Sequence, residues 1–202
     1  MTEYEKRVIN RDTVRYLCGL AVRWKSNLKY SIARRIARRN GARIGQGVVM
    51  PISLAKKLNG NCSIGNHVSI QTDDIDTRSP LSIGNNVIIG AGTKILTASH
   101  NIDSEEWEYK QYGLTIEDFV WISTDILIMP SCRCIGYGAV ISSGSVVIKN
   151  VDAMSVVSGN PAREFRKRKC VHTKLVVESL CGGDFDTYRD TRRRFFNKTC
   201  QK

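Results

Sequence analysis

A six-residue repeat constrains the fold of this 202-residue chain more than any other feature. Between about residues 44 and 159 an aliphatic residue opens each unit, a small residue often follows it, and a small or β-branched residue comes fifth. The clearest in-phase positions are Ile83, Ile89 and Ile95, then Ile116, Ile122 and Ile128, then Ile135, Ile141 and Val147. A β-sandwich would instead alternate apolar and polar residues between regularly spaced turns. Periods of six residues are typical of a parallel β-helix.

The repeat also predicts how such a chain is stabilised. Each hexapeptide forms a short strand and a turn, and three hexapeptides make one triangular coil. The aliphatic residue points inward, while Gly or Asn near each corner accepts the positive φ of the turn. One coil cannot bury its apolar face alone, so stability grows with the number of stacked coils. We therefore predict a mainly β solenoid over residues 44–162.

The N-terminal segment, residues 1–43, has a different pattern. Apolar residues recur every three or four positions and predict one or two helices between Asp12 and Arg39; they are Val14, Leu17, Leu20, Ala21, Trp24, Leu28, Ile32 and Ile36. The preferred interpretation is a helix that packs on the end of the solenoid and covers its open edges. The alternative is an amphipathic helix that contacts an anionic membrane.

Two further segments depart from the repeat. Residues 101–115 break the period and predict a loop that projects from the solenoid. Residues 163–202 form a basic C-terminal tail in which residues 171–180 are expected to be a short helix or strand. The charge run at residues 189–194 is expected to be solvated and partly disordered.

The net charge of +12 is concentrated at the two ends of the chain. Residues 1–43 carry +9 and residues 163–202 carry +7, whereas residues 44–162 carry −4. Basic ends suit anionic lipid, nucleic acid or an anionic cofactor. No nucleic-acid-binding motif is present, so a nucleic-acid partner is not expected.

Cysteine usage and hydropathy bear on the compartment. The seven cysteines are scattered, with no disulfide-like or CxxC spacing. No stretch is long and apolar enough to span a membrane, and the N-terminus does not read as a secretory signal. These features predict a reduced, cytoplasmic setting.

Three motifs around the repeat resemble one enzyme family. His100 precedes the projecting loop, Val120-Trp121-Ile122 follows it, and Gly159-Asn160-Pro161-Ala162-Arg163 closes the solenoid. Together they resemble the hexapeptide-repeat acyltransferases, and more narrowly the sugar O-acetyltransferases that act on maltose, nodulation factors, colanic acid, capsule or O-antigen. The resemblance covers about residues 44–163. It implies a left-handed β-helix, a homotrimer with active sites between neighbouring solenoids, acetyl-CoA as co-substrate, and no metal.

The resemblance assigns His100 as the general base. A neutral imidazole can take the proton of a sugar hydroxyl near neutral pH, so the assignment is chemically sound. The oxygen would then attack the acetyl thioester directly, with backbone N–H groups stabilising the oxyanion. The other histidines are expected to be structural, His67 at an outward-facing corner and His172 in the tail.

Polar and aromatic residues near His100 are candidates for binding the acceptor. The resemblance places acceptor contacts about one coil before the histidine, and the expected set is Asp74, Asp76, Arg78, Asn101 and Trp107. A general base usually needs an orienting partner. The acidic cluster at residues 73–76, Glu117 and Asp118 all remain open as that partner.

The cofactor end of the site is predicted separately. By resemblance, pantetheine should lie along a groove near Trp121, Ser123 and Ser142. Lys149 and Arg163 match family positions that bind the phosphates, for which both cations are suited. Serine replaces the family's usual glycine at Ser123 and in the neighbouring repeats, which leaves acyl groups other than acetyl open.

The sequence therefore predicts an acetyl-CoA-dependent O-acetyltransferase in surface polysaccharide biosynthesis, cytoplasmic and peripheral at the inner membrane face. One alternative is a streptogramin-type antibiotic O-acetyltransferase, although those enzymes generally have a longer loop. Another is a non-catalytic scaffold, which would have no reason to combine these motifs. A γ-class carbonic anhydrase is excluded because it needs three histidine ligands, and the solenoid contains only His67 and His100.

Overall fold

The computed structural model describes the backbone of residues 1–199 and the side chains of residues 1–195. Its helices are α1 (Glu3–Ile9), α2 (Thr13–Arg39), α3 (Ile52–Lys57) and α4 (Phe185–Thr199), and a 3₁₀ turn covers Val177–Cys181. Its strands are β1 (Arg43–Ile44), β2 (Cys62–Ile64), β3 (Ser69–Ile70), β4 (Leu81–Ile83), β5 (Ile88–Ile89), β6 (Lys94–Ile95), β7 (Ala98–His100), β8 (Tyr109–Gln111), β9 (Leu114–Ile116), β10 (Trp121–Ile122), β11 (Leu127–Ile128), β12 (Cys134–Ile135), β13 (Val140–Ile141), β14 (Val146–Val147), β15 (Ser155–Gly159) and β16 (Ala162–Lys167).

Most strands pair in parallel and form the three faces of a prism. The first face has the order β1-β2-β4-β9-β12, the second β3-β5-β10-β13-β15-β16 and the third β6-β11-β14. Only β16 runs antiparallel within these faces. The chain passes from face to face with each strand, so β4 to β6, β9 to β11 and β12 to β14 each complete one coil. The parallel coil predicted from the repeat is confirmed.

The in-phase aliphatic residues form three stacked columns inside the prism. In the registers Ile116 pairs with Ile83 on one side and Ile135 on the other, Ile122 likewise with Ile89 and Ile141, and Ile128 with Ile95 and Val147. All nine side chains are at most 2% exposed. The six-residue spacing in the sequence therefore places these side chains in contact between successive coils. The three columns together form the core of the solenoid.

Removing one member of this column should destabilise the protein strongly. Ile122 is fully buried between Ile89 and Ile141. We expect Ile122→Ala to lower the free energy of unfolding by about 2–5 kcal/mol, because it removes apolar contacts and leaves a cavity. Urea unfolding at one fixed protein concentration measures the change. Thr115→Ala, at an exposed strand position, is the control, and equal losses in both variants would contradict the stacked core.

Helix α2 packs on the solenoid end differently from the expectation. Ala33 and Ala37 are fully buried there and Ile36 packs against the core, while nearer the start of α2 a Cβ at Gly19 would lie 2.7 Å from the hydroxyl of Tyr188 in α4. The apolar stripe expected to make this contact is instead exposed at Val14, Leu17, Trp24, Leu28 and Ile32. No helix among the described residues, α2 included, is long and apolar enough to cross a membrane.

The C-terminal tail is folded, which corrects two expectations. The charge run at residues 189–194 lies within helix α4, so the expected disorder there is wrong. Tyr188 of this helix is fully buried and stacks on Tyr16 with ring centroids 5.1 Å apart. Just before α4, the buried Asp184 pairs with Arg23 of α2 at 3.0 Å. The described residues form four α-helices beside the strands, so the protein is mixed α/β rather than mainly β. Residues 200–202 lie outside the described part.

The segment predicted as a loop is an antiparallel hairpin. Strands β7 and β8 pair from Ala98 with Gln111 to His100 with Tyr109. The chain rejoins the prism at β9, so residues 114 and 115 belong to the solenoid and not to the projection. The hairpin follows β6 directly and therefore leaves from the third face of the prism. This position fixes where His100 lies.

Candidate active site

His100 ends strand β7 at the point where the hairpin leaves the solenoid. Its side chain is exposed, and its Nδ1 lies 2.8 Å from the backbone carbonyl oxygen of Trp107. The Trp107 ring stacks on the imidazole at a centroid distance of 5.3 Å, and Tyr109 meets its edge at 5.7 Å. Trp107 has a φ of 50°, an uncommon conformation for a bulky residue. A non-glycine residue in this region often marks a functional site.

The bond to Trp107 determines which imidazole nitrogen is free. A carbonyl oxygen only accepts hydrogen bonds, so the Nδ1 of His100 must carry the proton in this contact. In the neutral ring, Nε2 is then the unprotonated nitrogen and can accept a proton. The hairpin thus presents a fixed, exposed imidazole with a basic nitrogen.

The carboxylates considered as partners of His100 have other roles. Glu117 accepts a hydrogen bond from the Tyr137 backbone N–H at 2.6 Å, and Asp118 accepts one from the Asn85 N–H at 2.7 Å. Both contacts join neighbouring coils. A backbone carbonyl, and neither of these carboxylates, therefore contacts the imidazole nitrogen.

Asp76 and Arg78 lie beside the aromatic side chains of the hairpin. The Arg78 guanidinium donates to both Asp76 carboxylate oxygens at 2.8 and 3.1 Å, and it lies 5.3 Å above the Tyr109 ring. Burial alone would raise the pKa of Asp76, but hydrogen bonds from Arg78 and from the Thr97 N–H bring the pKa below its ordinary value. Through Tyr109, this ion pair is linked to His100.

The remaining predicted acceptor residues have less direct connections to His100. Asp74 forms an ion pair with Lys94 at 3.3 Å, in which both side chains are exposed. The Asn101 side-chain amide donates to the Glu108 carboxylate across the hairpin, and the Asn101 N–H donates to the Glu108 carbonyl at 2.9 Å. Asn101 therefore contributes to the shape of the hairpin that carries Trp107.

A mostly apolar groove of about 370 Å³ lies along the second face of the prism. Trp121 and Ser123, two of the residues expected to bind the cofactor, line it. Ser143 lines it beside them, whereas the backbone of its neighbour Ser142 bonds to Val157 within the sheet. The opposite wall comes from Leu175 and Leu180 of the C-terminal segment. An apolar groove edged by hydroxyl groups suits a ligand that is a flexible, partly polar chain.

His172 is a groove residue that the sequence analysis missed. It also lines this groove, where its Nε2 lies 2.8 Å from the Asn86 carbonyl oxygen and its Nδ1 2.9 Å from the Arg168 guanidinium. Burial lowers the pKa of His172; the bond to Asn86 opposes this shift, and the charge of Arg168 adds to it. A neutral ring with both nitrogens engaged holds the wall of the groove in place.

Lys149 and Arg163 line one small pocket of about 190 Å³ near the end of the solenoid. Residues of β14, β15, β16 and the segment 150–152 also line the pocket, among them Asp152 and Glu164. Both cations are exposed, and Arg163 donates to the Ala162 carbonyl oxygen at 3.0 Å. The structure therefore brings together the two cations that the sequence assigned to phosphate binding.

The imidazole and the groove lie on different faces of one solenoid. The hairpin with His100 leaves the third face after β6, whereas Trp121 belongs to β10 on the second face. The groove that Trp121 lines does not include His100. The described residues include no group of three His, Cys, Asp or Glu side chains that could hold a metal ion.

Several curated proteins are similar to this chain. The chain is 36% identical to a Schizosaccharomyces pombe protein named as an acetyltransferase, over 43% of each chain. It is 27% identical to Escherichia coli WcaF, named as a colanic acid biosynthesis acetyltransferase, over 72% of this chain and 80% of that protein. An E. coli chloramphenicol acetyltransferase is 32% identical over 48% of this chain and 54% of that protein. The chain thus spans about half or less of two of these relatives.

Solved structures share the fold. A hexapeptide-repeat acetyltransferase of Vibrio cholerae has a TM-score of 0.52 at 22% identity, covering 84% of this chain and 95% of that chain. A maltose O-acetyltransferase of Clostridium difficile has a TM-score of 0.50 at 20% identity, covering 84% and 99%. The Vibrio protein in complex with acetyl coenzyme A matches at 30% identity and a TM-score of 0.46, covering 64% and 62%. No protein-family model matches the chain.

The repeat, the three-faced parallel coil and these relatives agree on one assignment. The WcaF match extends over 146 residues, and the two structural matches each cover 84% of the chain. The chain has the fold of the hexapeptide-repeat acetyltransferases and is similar in sequence to proteins named as acetyltransferases.

Proposed function

We propose that this protein is an acetyl-CoA-dependent O-acetyltransferase that acts on a hydroxyl of a sugar in surface polysaccharide biosynthesis. The observation that carries the proposal is the contact between His100 Nδ1 and the Trp107 carbonyl oxygen, at 2.8 Å. This bond leaves Nε2 free to act as a general base beside the Trp107 and Tyr109 rings. A scaffold protein would have no need of an exposed imidazole held in this form.

The chemistry follows from the free Nε2 of His100. The nitrogen takes the proton of the acceptor hydroxyl, and the oxygen attacks the thioester carbonyl carbon. Backbone N–H groups of the coil stabilise the oxyanion of the tetrahedral intermediate. The intermediate collapses, the C–S bond breaks, and the imidazolium returns its proton to the coenzyme A thiolate. No covalent enzyme intermediate is required.

The groove and the basic pocket suit the acyl donor. Pantetheine would lie along Trp121 and Ser123, with Ser142 and Ser143 at the next coil, and the phosphates would bind Lys149 and Arg163. Arg offers a forked contact with phosphate oxygens, and Lys offers a point charge. No step of this reaction needs a metal ion.

The acceptor side suits a saccharide. Trp107 and Tyr109 offer ring faces for stacking, and the polar groups of Asp76 and Arg78 lie beside them. Asp74 and Asn101 extend this polar border. The similarity to WcaF agrees with a polysaccharide precursor as acceptor. The similarity to chloramphenicol acetyltransferase favours a second candidate, a hydroxyl of an antibiotic.

The proposal includes a homotrimer of left-handed coils in the cytoplasm. Because His100 and the groove lie on different faces, one copy alone does not form a complete site. Cyclic symmetry would place the hairpin of one copy against the groove of the next. The described cysteines, six in number, are all free thiols, in keeping with a reducing compartment.

A transfer assay with the purified protein tests the proposal. Acetyl-CoA is offered with a panel of sugars, lipid-linked oligosaccharides, amino sugars and antibiotics, and products are identified by mass spectrometry. We expect a saccharide product whose acetyl group is removed by mild alkali, as for an ester. An alkali-stable amide would show N-acetylation instead, and a product from the antibiotics alone would establish the second candidate.

The pocket with Lys149 and Arg163 gives a prediction for the donor. We expect Lys149→Gln combined with Arg163→Gln to raise KM for acetyl-CoA by about 10–100-fold with little change in kcat, since two charge-assisted phosphate contacts are lost. Steady-state kinetics measures both constants. Lys174→Gln, which removes an exposed cation outside the pocket, is the control. A fall in kcat without a change in KM would argue against phosphate binding here.

A further inference from the structure

Helix α2 has an exposed apolar stripe along its outward face. Val14, Leu17, Trp24 and Leu28 are 70%, 55%, 60% and 52% exposed, and Ile32 continues the line at 41%. They follow one another at spacings of three, four or seven residues, so their side chains lie along one side of the helix. The contact face, with Gly19, Ala33 and Ala37, lies on the opposite side. Much of the apolar surface of the stripe is therefore left uncovered by the rest of this chain.

The charge around the stripe has a single sign. Between Thr13 and Arg39 the helix contains eight Lys or Arg residues and no Asp or Glu. Lys25, Lys29, Arg35 and Arg39 are exposed near the stripe, and no carboxylate of the described residues pairs with them. The surface thus combines exposed large apolar groups with uncompensated positive charge.

We infer that this face of α2 binds in the plane of an anionic lipid surface. An interfacial helix buries an apolar stripe at the boundary between headgroups and acyl chains, and its cations contact anionic headgroups. The 27 residues of α2 offer a contact about 40 Å long. Trp24 lies midway along the stripe, where an indole suits the membrane interface. The contact is peripheral, and the helix does not enter the bilayer end-on.

The same observations argue against two other occupants. A second copy bound face to face through this stripe would bring Lys25, Lys29, Arg35 and Arg39 of each copy together, with no carboxylate on either helix. A nucleic acid would engage the cations but would leave the apolar stripe in water. An anionic lipid surface can pair with the cations and also bury the apolar stripe.

Vesicle binding by the whole protein, without acetyl-CoA or acceptor, tests the inference independently of the proposed enzymatic function. Vesicles of phosphatidylcholine alone and of equimolar phosphatidylcholine and phosphatidylglycerol are sedimented with the wild-type protein and with the variants. The stripe variant combines Leu17→Gln, Trp24→Gln and Leu28→Gln, which keep helix-forming residues at exposed positions. The control is Val22→Gln, because Val22 is 64% exposed on α2 but lies outside the stripe.

We expect the wild-type protein to bind the anionic vesicles and not the neutral ones, and to dissociate from the anionic vesicles as the salt concentration is raised. The stripe variant should bind at least about tenfold more weakly, because it loses the apolar part of the interface. Lys25→Gln with Lys29→Gln should weaken binding by about fivefold for each charge. Val22→Gln should bind within about twofold of wild type, since the stripe and its cations are intact.

Three results would overturn the inference. In the first, the wild-type protein binds neither type of vesicle. In the second, the stripe variant binds anionic vesicles as tightly as the wild type. In the third, the stripe variant no longer forms oligomers and the wild type binds no vesicles. The last result would make a second copy the occupant. Quenching of tryptophan fluorescence by brominated anionic lipid, present in the wild type and reduced in Trp24→Gln, places the stripe itself at the interface.

Discussion

Replacing His100 by alanine is expected to lower kcat by about 10²–10⁴-fold, the range for loss of a general base. The acceptor hydroxyl would lose the only imidazole that the hairpin presents, with its free Nε2. Binding of acetyl-CoA should be unchanged, because the groove with Trp121 lies on another face of the solenoid. Turnover and the dissociation constant of acetyl-CoA are measured separately, so that loss of folding is not mistaken for loss of catalysis.

The control for this experiment is the other solenoid histidine. His67 occupies a corner with a φ of 57° and bonds to the Glu178 carboxylate at 2.5 Å. Asn accepts that backbone conformation, so His67→Asn should keep the fold and near wild-type turnover. Near-normal turnover in His100→Ala would show that the base is another group.

Two inactive variants are expected to restore activity when they share a trimer. His100→Ala removes the base, and Ser143→Trp fills the groove at an exposed position without disturbing the core. If each site takes its histidine from one copy and its groove from the next, every mixed trimer contains one intact site among three. Differently tagged copies are co-expressed and purified through both tags, and we expect about a third of wild-type activity.

The alternative outcome of the mixing experiment is equally clear. If one copy supplied both parts of its own site, no mixed trimer would contain an intact site, and the activity would be that of the separate variants. The separation of His100 and Trp121 onto different faces leads us to expect recovery.

The solenoid could be predicted in detail because its repeat is a local property of the sequence. A residue such as Ile122 is placed inward by its position in the six-residue unit, and stacking on Ile89 and Ile141 follows from the coil. The assignment of Trp121 and Ser123 to a groove, in contrast, came from the resemblance to a family and not from the repeat. The role of an outward-facing residue depends on which segment packs against it, and the repeat does not specify that segment.

The parts that could not be predicted depend on contacts distant in sequence. Helix α4 has a strongly charged sequence and is held by the burial of Tyr188 and by the pair of Asp184 with Arg23. His172 reaches the groove only because the tail returns to the solenoid. The Trp107 carbonyl that contacts His100 is a backbone group, and no residue type signals it.

Acetyl transfer to a saccharide hydroxyl is the central claim, and release of coenzyme A thiol measures it most directly. The purified protein is incubated with acetyl-CoA and its best saccharide acceptor, with the same saccharide after full O-methylation, and with no acceptor. The account predicts rapid thiol release with the free saccharide alone, and its loss in His100→Ala. Equal release with the O-methylated saccharide, or no release with any saccharide by a protein that binds acetyl-CoA, would contradict it.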